Sequence, residues 1–162
     1  MTLMKTSQQG IDLIKSFEGC KLTAYKPVQT EKYYTIGYGH YGADVHSGTK
    51  ITQAEAEELL KNDIAPIEML LNALGINFAQ RQFDALCSWI YNLGAGSFNK
   101  STLKKNIVGG KDDISITDQM AKWFYAGGKP LLGLKRRRIA ECNMFLGKER
   151  YYLSSNGNIL KK

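Results

Sequence analysis

Apolar residues recur at helical spacing near the start of the chain. Ile11, Ile14 and Phe17 share one face of a helix predicted from Ser7 to Phe17. Ser7 is suited to cap the first turn, and Gly19 is suited to end the helix. The pattern therefore predicts an amphipathic helix that presents Glu18 at its C-terminal end.

Between Leu22 and Ile51 the pattern changes to aromatic and β-branched residues, Thr35 among them, interleaved with glycines. This alternation predicts a small antiparallel sheet with tight turns. The segment Gly37–Gly42 matches the G-x-G-x-x-G pattern of dinucleotide-binding loops. Such a site needs a helix to begin there, whereas the next residues have turn character. We therefore expect the glycines to serve tight turns and the close approach of a bulky ligand.

From Thr52 onward the chain is predicted to be almost entirely helical. Thr52 and Glu55 have the spacing of a capping box, and an apolar stripe continues from there to Gly75. Pro66 lies inside this stripe and predicts a break or kink near Ala65. Later helices are predicted over residues 83–93, 101–108, 117–125 and 135–146.

Composition indicates a globular protein. The chain has 162 residues, of which 43% are hydrophobic, and can bury a core as one domain of one or two lobes. No apolar stretch approaches the ~20 residues of a membrane span, and the N-terminus lacks the apolar region of a secretory signal. We expect synthesis in the cytoplasm without membrane insertion. Cys20, Cys87 and Cys142 form no C-x-x-C pair and are expected to be reduced structural thiols.

The formal charge of +7 favours polyanionic partners, which include nucleic acid, anionic membranes and anionic cell-wall polymer. The cluster Lys135–Arg138 could be a nucleic-acid patch, but apolar residues surround it. We interpret it as the solvated face of a core-packed helix, and nucleic acid is not expected as a partner.

The two histidines, His40 and His46, give little support to metal or triad chemistry. No cysteine pair lies near them, and neither follows a nucleophile-elbow sequence. His40 is expected to be a structural histidine held by hydrogen bonds. We expect neither a metal nor another cofactor.

Glu18 is the residue whose predicted surroundings favour catalysis. The negative end of a helix dipole and partial burial beside Phe17 and Cys20 both disfavour an ionised carboxylate. A glutamic acid that keeps its proton can protonate the leaving oxygen of a glycoside. Taken alone, the residue is better explained as a solvent-facing glutamate at a frayed helix end.

Motifs spread over nearly the whole chain decide between these two interpretations. In chain order they are FEG at Phe17–Gly19, AYK at Ala24–Lys26, YYTIGYGH at Tyr33–His40, Gln82–Leu86, YNLG at Tyr91–Gly94, F-x-x-S-T-L at Phe98–Leu103, Trp123, G-K-P-L-L-G-L at Gly128–Leu134 and RRxxE at Arg137–Glu141. Together they make the chain resemble the phage-type lysozymes, the endolysin or muramidase family.

The resemblance implies an α+β fold with two lobes in a single domain, 1–162. A smaller lobe of about residues 12–60 would hold a three-stranded sheet. A long helix of about 60–75 would connect it to a larger helical lobe of about 76–150 plus residues 1–11. The glycan of peptidoglycan would bind in the cleft between the lobes.

The resemblance also implies a reaction, hydrolysis of the β-1,4 bond between N-acetylmuramic acid and N-acetylglucosamine in peptidoglycan. Glu18 matches the general acid of the family, and Thr35 matches a threonine that helps to hold the attacking water. The residues near positions that line the saccharide cleft are Tyr41, Tyr91, Ser101 and Thr117. Ser101 and Thr117 could equally be helix caps.

One departure from the family concerns the second catalytic group. The family usually has an aspartate or a cysteine nine residues after the glutamate and six before the threonine. Here these positions hold Pro27 and Gln29, because two extra residues lie between Glu18 and Thr35. Glu31 is the only carboxylate in this loop and could activate the water. Alternatively, Glu18 and Thr35 work with another group, or the protein binds glycan and cleaves it poorly.

Two other functions remain open at this stage. A lytic transglycosylase also uses one glutamate but forms an anhydro-sugar, and a non-catalytic module would only bind glycan.

By analogy with the family, we expect a monomer that accumulates in the host cytoplasm. It would reach the cell wall through membrane lesions made by a holin, and the basic charge would hold it near the anionic wall.

Overall fold

The computed structural model describes residues 2–162, which form two compact units. One unit is Asp12–Pro66, and the other comprises residues up to Ile11 together with Ile67–Lys162. The helices of this described part are α1 Gln8–Glu18, α2 Gln53–Asn72, α3 Gln80–Leu93, α4 Ala95–Lys100, α5 Thr102–Val108, α6 Asp113–Met120 and α7 Leu132–Leu146. The strands are β1 Lys21–Tyr25, β2 Tyr34–Gly37, β3 His40–Gly42, β4 Tyr125–Ala126, β5 Lys129–Pro130, β6 Tyr151–Leu153 and β7 Ile159–Lys161. The predicted α+β class is confirmed.

The unit Asp12–Pro66 is built around an antiparallel sheet in the order β1-β2-β3. Gly37 and Gly39 bound the turn between β2 and β3, with φ of 66° and 81°. Side chains other than glycine rarely adopt such angles, so these two glycines permit the chain to reverse. Because strand β3 follows Gly39, no helix begins at the G-x-G-x-x-G match. The predicted sheet is confirmed, and the glycine segment forms a hairpin turn rather than the start of a helix.

The start of α2 confirms the predicted capping box. The Glu55 amide donates to Thr52 Oγ1 at 3.1 Å, and the Thr52 amide donates to Glu55 Oε1 at 3.3 Å. The prediction near Ala65 is a break or a kink; the break is wrong, because α2 continues through Pro66 to Asn72, and the kink stays a prediction. Pro66 removes one helical donor, but Asn62, four residues earlier, is exposed, so water can bind the carbonyl oxygen left without that donor.

The core of the other unit surrounds α3. Every residue of α3 from Phe83 to Ile90 is buried. The Trp89 ring meets Phe98 and Trp123 in edge-to-face contacts, with centroid separations of 6.2 and 5.2 Å. Aromatic pairs in this geometry add to the stabilisation that burial itself provides.

Three elements of this unit differ from the prediction. Helix α4 lies between the helices predicted over residues 83–93 and 101–108 and was not predicted. Gly94, with φ of 93°, both ends α3 and begins α4. Helix α6 begins at Asp113 rather than at residue 117, since Asp112 caps it by accepting the Ser115 amide at 2.9 Å. The tail after Gly147, to which the sequence assigned no element, forms the β6–β7 hairpin.

Candidate active site

Glu18 is the last residue of α1, as predicted. The Ile11 amide donates to the Ser7 carbonyl at 3.0 Å at the start of this helix, and the Gly19 amide donates to the Lys15 carbonyl at 2.9 Å at its end. Gly19 has φ of 66°, so a left-handed glycine ends the helix directly after Glu18. The Glu18 side chain is half-buried, and its carboxyl group therefore lies at the protein surface without being fully solvated.

Thr35 lies in β2, the middle strand of the sheet. It pairs with Tyr25 of β1 on one side and with Tyr41 of β3 on the other. Its side chain is 7% exposed, and within residues 2–162 its hydroxyl group has no hydrogen-bond partner. A hydroxyl in this position can bind a water molecule.

The connection between α1 and β1 brings Glu18 to the sheet that carries Thr35. Only Gly19 and Cys20 separate Glu18 from Lys21, the first residue of β1. Lys21 pairs with Gly37, which is two residues after Thr35 in β2. Glu18 and Thr35 therefore project from adjoining elements of one unit.

The loop between β1 and β2 contains the positions at which a second catalytic group was considered. Pro27 and Gln29 are exposed, while Glu31 is half-buried and its amide donates to the Val28 carbonyl at 3.0 Å. Glu31 is thus held in a turn within the same unit as Glu18. Its catalytic role remains a prediction.

Strand β1 carries an irregularity beside this loop. Four residue steps separate Lys21 from Tyr25, but only two separate their partners, Gly37 and Thr35. A bulge of this kind bends a strand and changes where its side chains point. The bulge gives β1 two more residues than the β2 segment it faces.

Tyr41, a predicted saccharide-contacting residue, is 45% exposed on β3. Its ring lies 5.5 Å from the Tyr33 ring, and its hydroxyl oxygen accepts the Tyr33 amide at 3.4 Å. Lys32 lies over the Tyr33 ring at 5.1 Å. The Tyr33 ring therefore holds the exposed Tyr41, which lies on the same sheet as Thr35.

His40 is a structural histidine, as predicted. Its Nδ1 lies 2.8 Å from Asp63 Oδ2 on α2, and its Nε2 lies 2.8 Å from Asp44 Oδ2. Burial of the ring lowers the pKa of His40, but the hydrogen bonds and charges of Asp44 and Asp63 outweigh burial and raise it overall. The same imidazole lowers the pKa of Asp44.

The three remaining predicted site residues belong to the other unit, which includes Ile67–Lys162. Tyr91 is half-buried in α3. Ser101 is 4% exposed, and its hydroxyl accepts the Lys104 amide at 3.0 Å as the cap of α5. Thr117 is fully buried, with its hydroxyl 2.8 Å from that of Tyr151. The two hydroxyl residues have structural partners, and all three saccharide assignments remain predictions.

The basic cluster at the start of α7 is where the sequence interpretation is wrong. Arg137 and Arg138 are buried rather than solvated, and they bind the fully buried Glu141. Arg138 Nε lies 2.7 Å from Glu141 Oε1, and the Ser88 hydroxyl donates to Glu141 Oε2 at 2.5 Å. The i, i+3 and i, i+4 spacing of Arg and Glu predicts ion pairs on this helix but gives no indication that they are buried. Only Arg136 of these three arginines is exposed.

Within residues 2–162 no three His, Cys, Asp or Glu side chains are grouped as the ligands of a metal ion would be. Among the helices described, even the 20-residue α2 lacks an apolar stretch that could cross a bilayer.

The family pattern and the similar sequences agree in the kind of protein that this chain resembles. The sequence pattern of the family described as phage lysozyme matches residues 15–141. An endolysin of Bacillus phage B103 is 46% identical over 144 residues, which are 88% of this chain and 54% of the relative. The chain thus spans about half the length of that relative. An endolysin of Acyrthosiphon pisum secondary endosymbiont phage 1 is 40% identical over 88% of this chain and 98% of its own.

Solved structures show the same fold. The muramidase domain of SpmX from Asticaccaulis excentricus superposes with a TM-score of 0.79 at 33% identity, covering 88% of this chain and 97% of that domain. The endolysin from Escherichia coli O157:H7 phage FAHEc1 has a TM-score of 0.76 at 34% identity, covering 90% of this chain and 95% of its own.

Proposed function

The chain belongs to the phage lysozyme family, and we propose that it hydrolyses the β-1,4 bond between N-acetylmuramic acid and N-acetylglucosamine in peptidoglycan. The observation that supports this reaction is the position of Glu18. This half-buried carboxyl group ends α1 and adjoins the sheet whose middle strand holds Thr35. Membership of the phage lysozyme family, together with a half-buried glutamate at this position, supports cleavage of a glycosidic bond over glycan binding alone.

In the proposed mechanism Glu18 is the general acid. Its carboxyl proton passes to the glycosidic oxygen while the bond between that oxygen and the sugar C1 breaks. A water molecule held by the Thr35 hydroxyl supplies the new hydroxyl group at C1. The proton lost by this water is taken by a base, and Glu18 regains its proton from solvent.

We propose Glu31 as that base, since it is the carboxylate that the β1–β2 loop offers. If Glu31 and Glu18 flank the bond, separated by ~6.5–9.5 Å, the reaction inverts the configuration at C1. The other possibilities are that another group takes the proton or that the chain cleaves weakly. We expect Glu31→Gln to reduce turnover; unchanged turnover in this variant together with loss in Glu18→Gln would exclude the carboxylate pair.

The test of the function is lysis of purified cell wall by the wild type beside Glu18→Gln. We expect the amide to abolish lysis while the thermal unfolding midpoint stays unchanged. Glu58→Gln is the matched control, because Glu58 is an exposed carboxylate on α2 of the same unit. Undiminished lysis by correctly folded Glu18→Gln would overturn the proposal.

The masses of the released muropeptides separate hydrolysis from transglycosylation. A hydrolase adds one water to each cleaved bond, whereas a lytic transglycosylase forms an anhydro-sugar lighter by one water. A wild-type protein that binds wall without releasing fragments would instead be a glycan-binding module. Action as a monomer, release through lesions made by a holin and activity at the cell wall belong to the same proposal.

A further inference from the structure

The positive charge of the chain belongs to one of its two units. Residues up to Ile11 and from Ile67 onward carry 16 of the 22 Lys and Arg and 7 of the 15 Asp and Glu, a formal charge of +9. The unit Asp12–Pro66 carries 6 Lys and Arg and 8 Asp and Glu, a formal charge of −2. The proposed catalytic residues Glu18, Thr35 and Glu31 lie in the acidic unit. The net attraction to a polyanion therefore comes from the other unit.

The basic unit contains a groove of about 640 Å³ between α6 and the β6–β7 hairpin. The hairpin and the end of α6 supply its walls. Its volume is typical of sites that take small organic ligands. None of the residues proposed above for catalysis or saccharide contact lines it.

Hydrogen bonds hold the walls of this groove together. The Tyr151 hydroxyl donates to Asp118 Oδ1 at 2.6 Å, and Lys161 Nζ lies 2.8 Å from Asp118 Oδ2. Burial and the hydrogen bond to Asp118 raise the pKa of Tyr151, so its hydroxyl stays neutral and keeps donating. Asp118, the single carboxylate among the described residues that line the groove, is thereby satisfied within the protein, and the site is built before any ligand binds.

The groups that remain available suit an anion that also carries hydroxyl groups. Lys122 is exposed and lines the groove, whereas the Lys161 ammonium is engaged in the ion pair with Asp118. The Gln119 amide lines the same groove and can exchange hydrogen bonds with hydroxyl groups. The Ser115 hydroxyl also lines it; it donates to Asp112 Oδ2 at 2.9 Å and can still accept a hydrogen bond. Ile159 and Leu160 supply apolar surface, which methylene groups can cover. The lining thus offers one positive charge, polar hydrogen-bonding groups and an apolar strip.

We propose that this groove binds a polyol-phosphate polymer of the cell wall, such as a poly(glycerol phosphate) chain. Charge complementarity carries this assignment: each repeat has one phosphate, which Lys122 binds, together with hydroxyl and methylene groups for the rest of the lining. The statement that the polymer comes from the cell wall rests on the proposed function. Binding of a polyol phosphate by the groove does not depend on that function. Such a site retains the protein on the wall through the unit that lacks Glu18.

The experiment measures calorimetric binding of soluble poly(glycerol phosphate) to the whole chain at about 0.15 M salt, where exposed charges farther apart than ~8 Å are largely screened. Lys122→Gln is expected to weaken binding about threefold, the size of one solvent-exposed charge interaction. Gln119→Ala is expected to weaken it without changing the net charge. Lys129→Gln removes one exposed charge on β5, outside the groove, and is the matched control with a smaller effect.

Three results would overturn the proposal: equal weakening by Lys122→Gln and Lys129→Gln, no binding of the polymer by wild type, or binding only to phosphatidylglycerol vesicles. The same titration with Glu18→Gln separates this site from the catalytic proposal. Retained binding there, whatever that variant does to cell-wall lysis, supports an independent site.

Discussion

Lys15 Nζ lies 2.5 Å from Glu57 Oε2, so an ion pair joins α1 to α2 one turn before Glu18. The Tyr38 hydroxyl and the Gln53 amide donate to Glu57 Oε1 at 3.1 and 3.0 Å. The hydrogen bond to Glu57 raises the pKa of Lys15, and the same bond lowers the pKa of Glu57. These contacts fix the segment of α1 from which the proposed general acid projects.

Replacing Lys15 by methionine should affect catalysis more than folding. Both members of the pair are partly exposed, so the free energy of unfolding should fall by about 1 kcal/mol or less. Turnover on soluble glycan should fall by about tenfold, because small displacements of a catalytic group are costly. The measurements are urea unfolding and kcat, with Lys61→Met, an exposed lysine on α2, as control. Equal turnover in the two variants would contradict the positioning role of Lys15.

The hydrogen bonds of His40 predict a pH dependence of stability. Only the imidazolium can donate to Asp63 and Asp44 at once, since neutral imidazole has a single N–H. The folded-state pKa of His40 lies above its ordinary value of 6.5, so its contribution is complete below that pH and is lost as pH rises through the raised pKa. The lowered pKa of Asp44 gives a contribution that is present above its ordinary value of 3.8 and lost on acidification.

We therefore expect His40→Gln to lower the urea midpoint more at about pH 5.5 than at about pH 9. His46→Gln is the matched control, because His46 is exposed. A difference between wild type and His40→Gln that does not change with pH would contradict this interpretation of the two hydrogen bonds.

The buried charges around Glu141 predict a large loss of stability on substitution. Glu141→Gln leaves Arg137 and Arg138 without their buried counter-ion and should lower the free energy of unfolding by about 3–5 kcal/mol. Arg136→Met, on the same helix but exposed, should change it by about 0.5 kcal/mol or less. Chemical denaturation of the two variants checks this difference; comparable small losses would show that the buried cluster contributes little.

The three cysteines should differ in reactivity. Burial raises the pKa of Cys87 to about 12 and raises that of Cys142 as well. Because the thiolate is the reactive form, neither should react in the native protein. Cys20 is half-buried and should react with a thiol-specific reagent first. Thiol titration should therefore find one accessible group in buffer and three in denaturant, and a Cys20→Ser variant should show none in buffer.

Much of the fold could be predicted because local interactions determine it. Ser7 and Gly19 bound α1 through contacts within four residues, and Thr52 with Glu55 begins α2 in the same way. The alternation of aromatic residues and glycines similarly indicated the sheet. The same local sequence patterns identified Glu18 as the end of a helix and Thr35 as a strand residue.

The sequence by itself determined these helices and strands, the family and the candidate residues on them, because short-range hydrogen bonds and periodic burial are encoded within a few positions. Tertiary structure alone decided that α2 continues through Pro66, that Arg137 and Arg138 are buried, and that the tail folds as a hairpin against α6. Each of these outcomes depends on a partner distant in sequence or on solvent exposure: Ser88 for the arginines, Asp118 for Tyr151, and open solvent beside Asn62. No local pattern contains such partners.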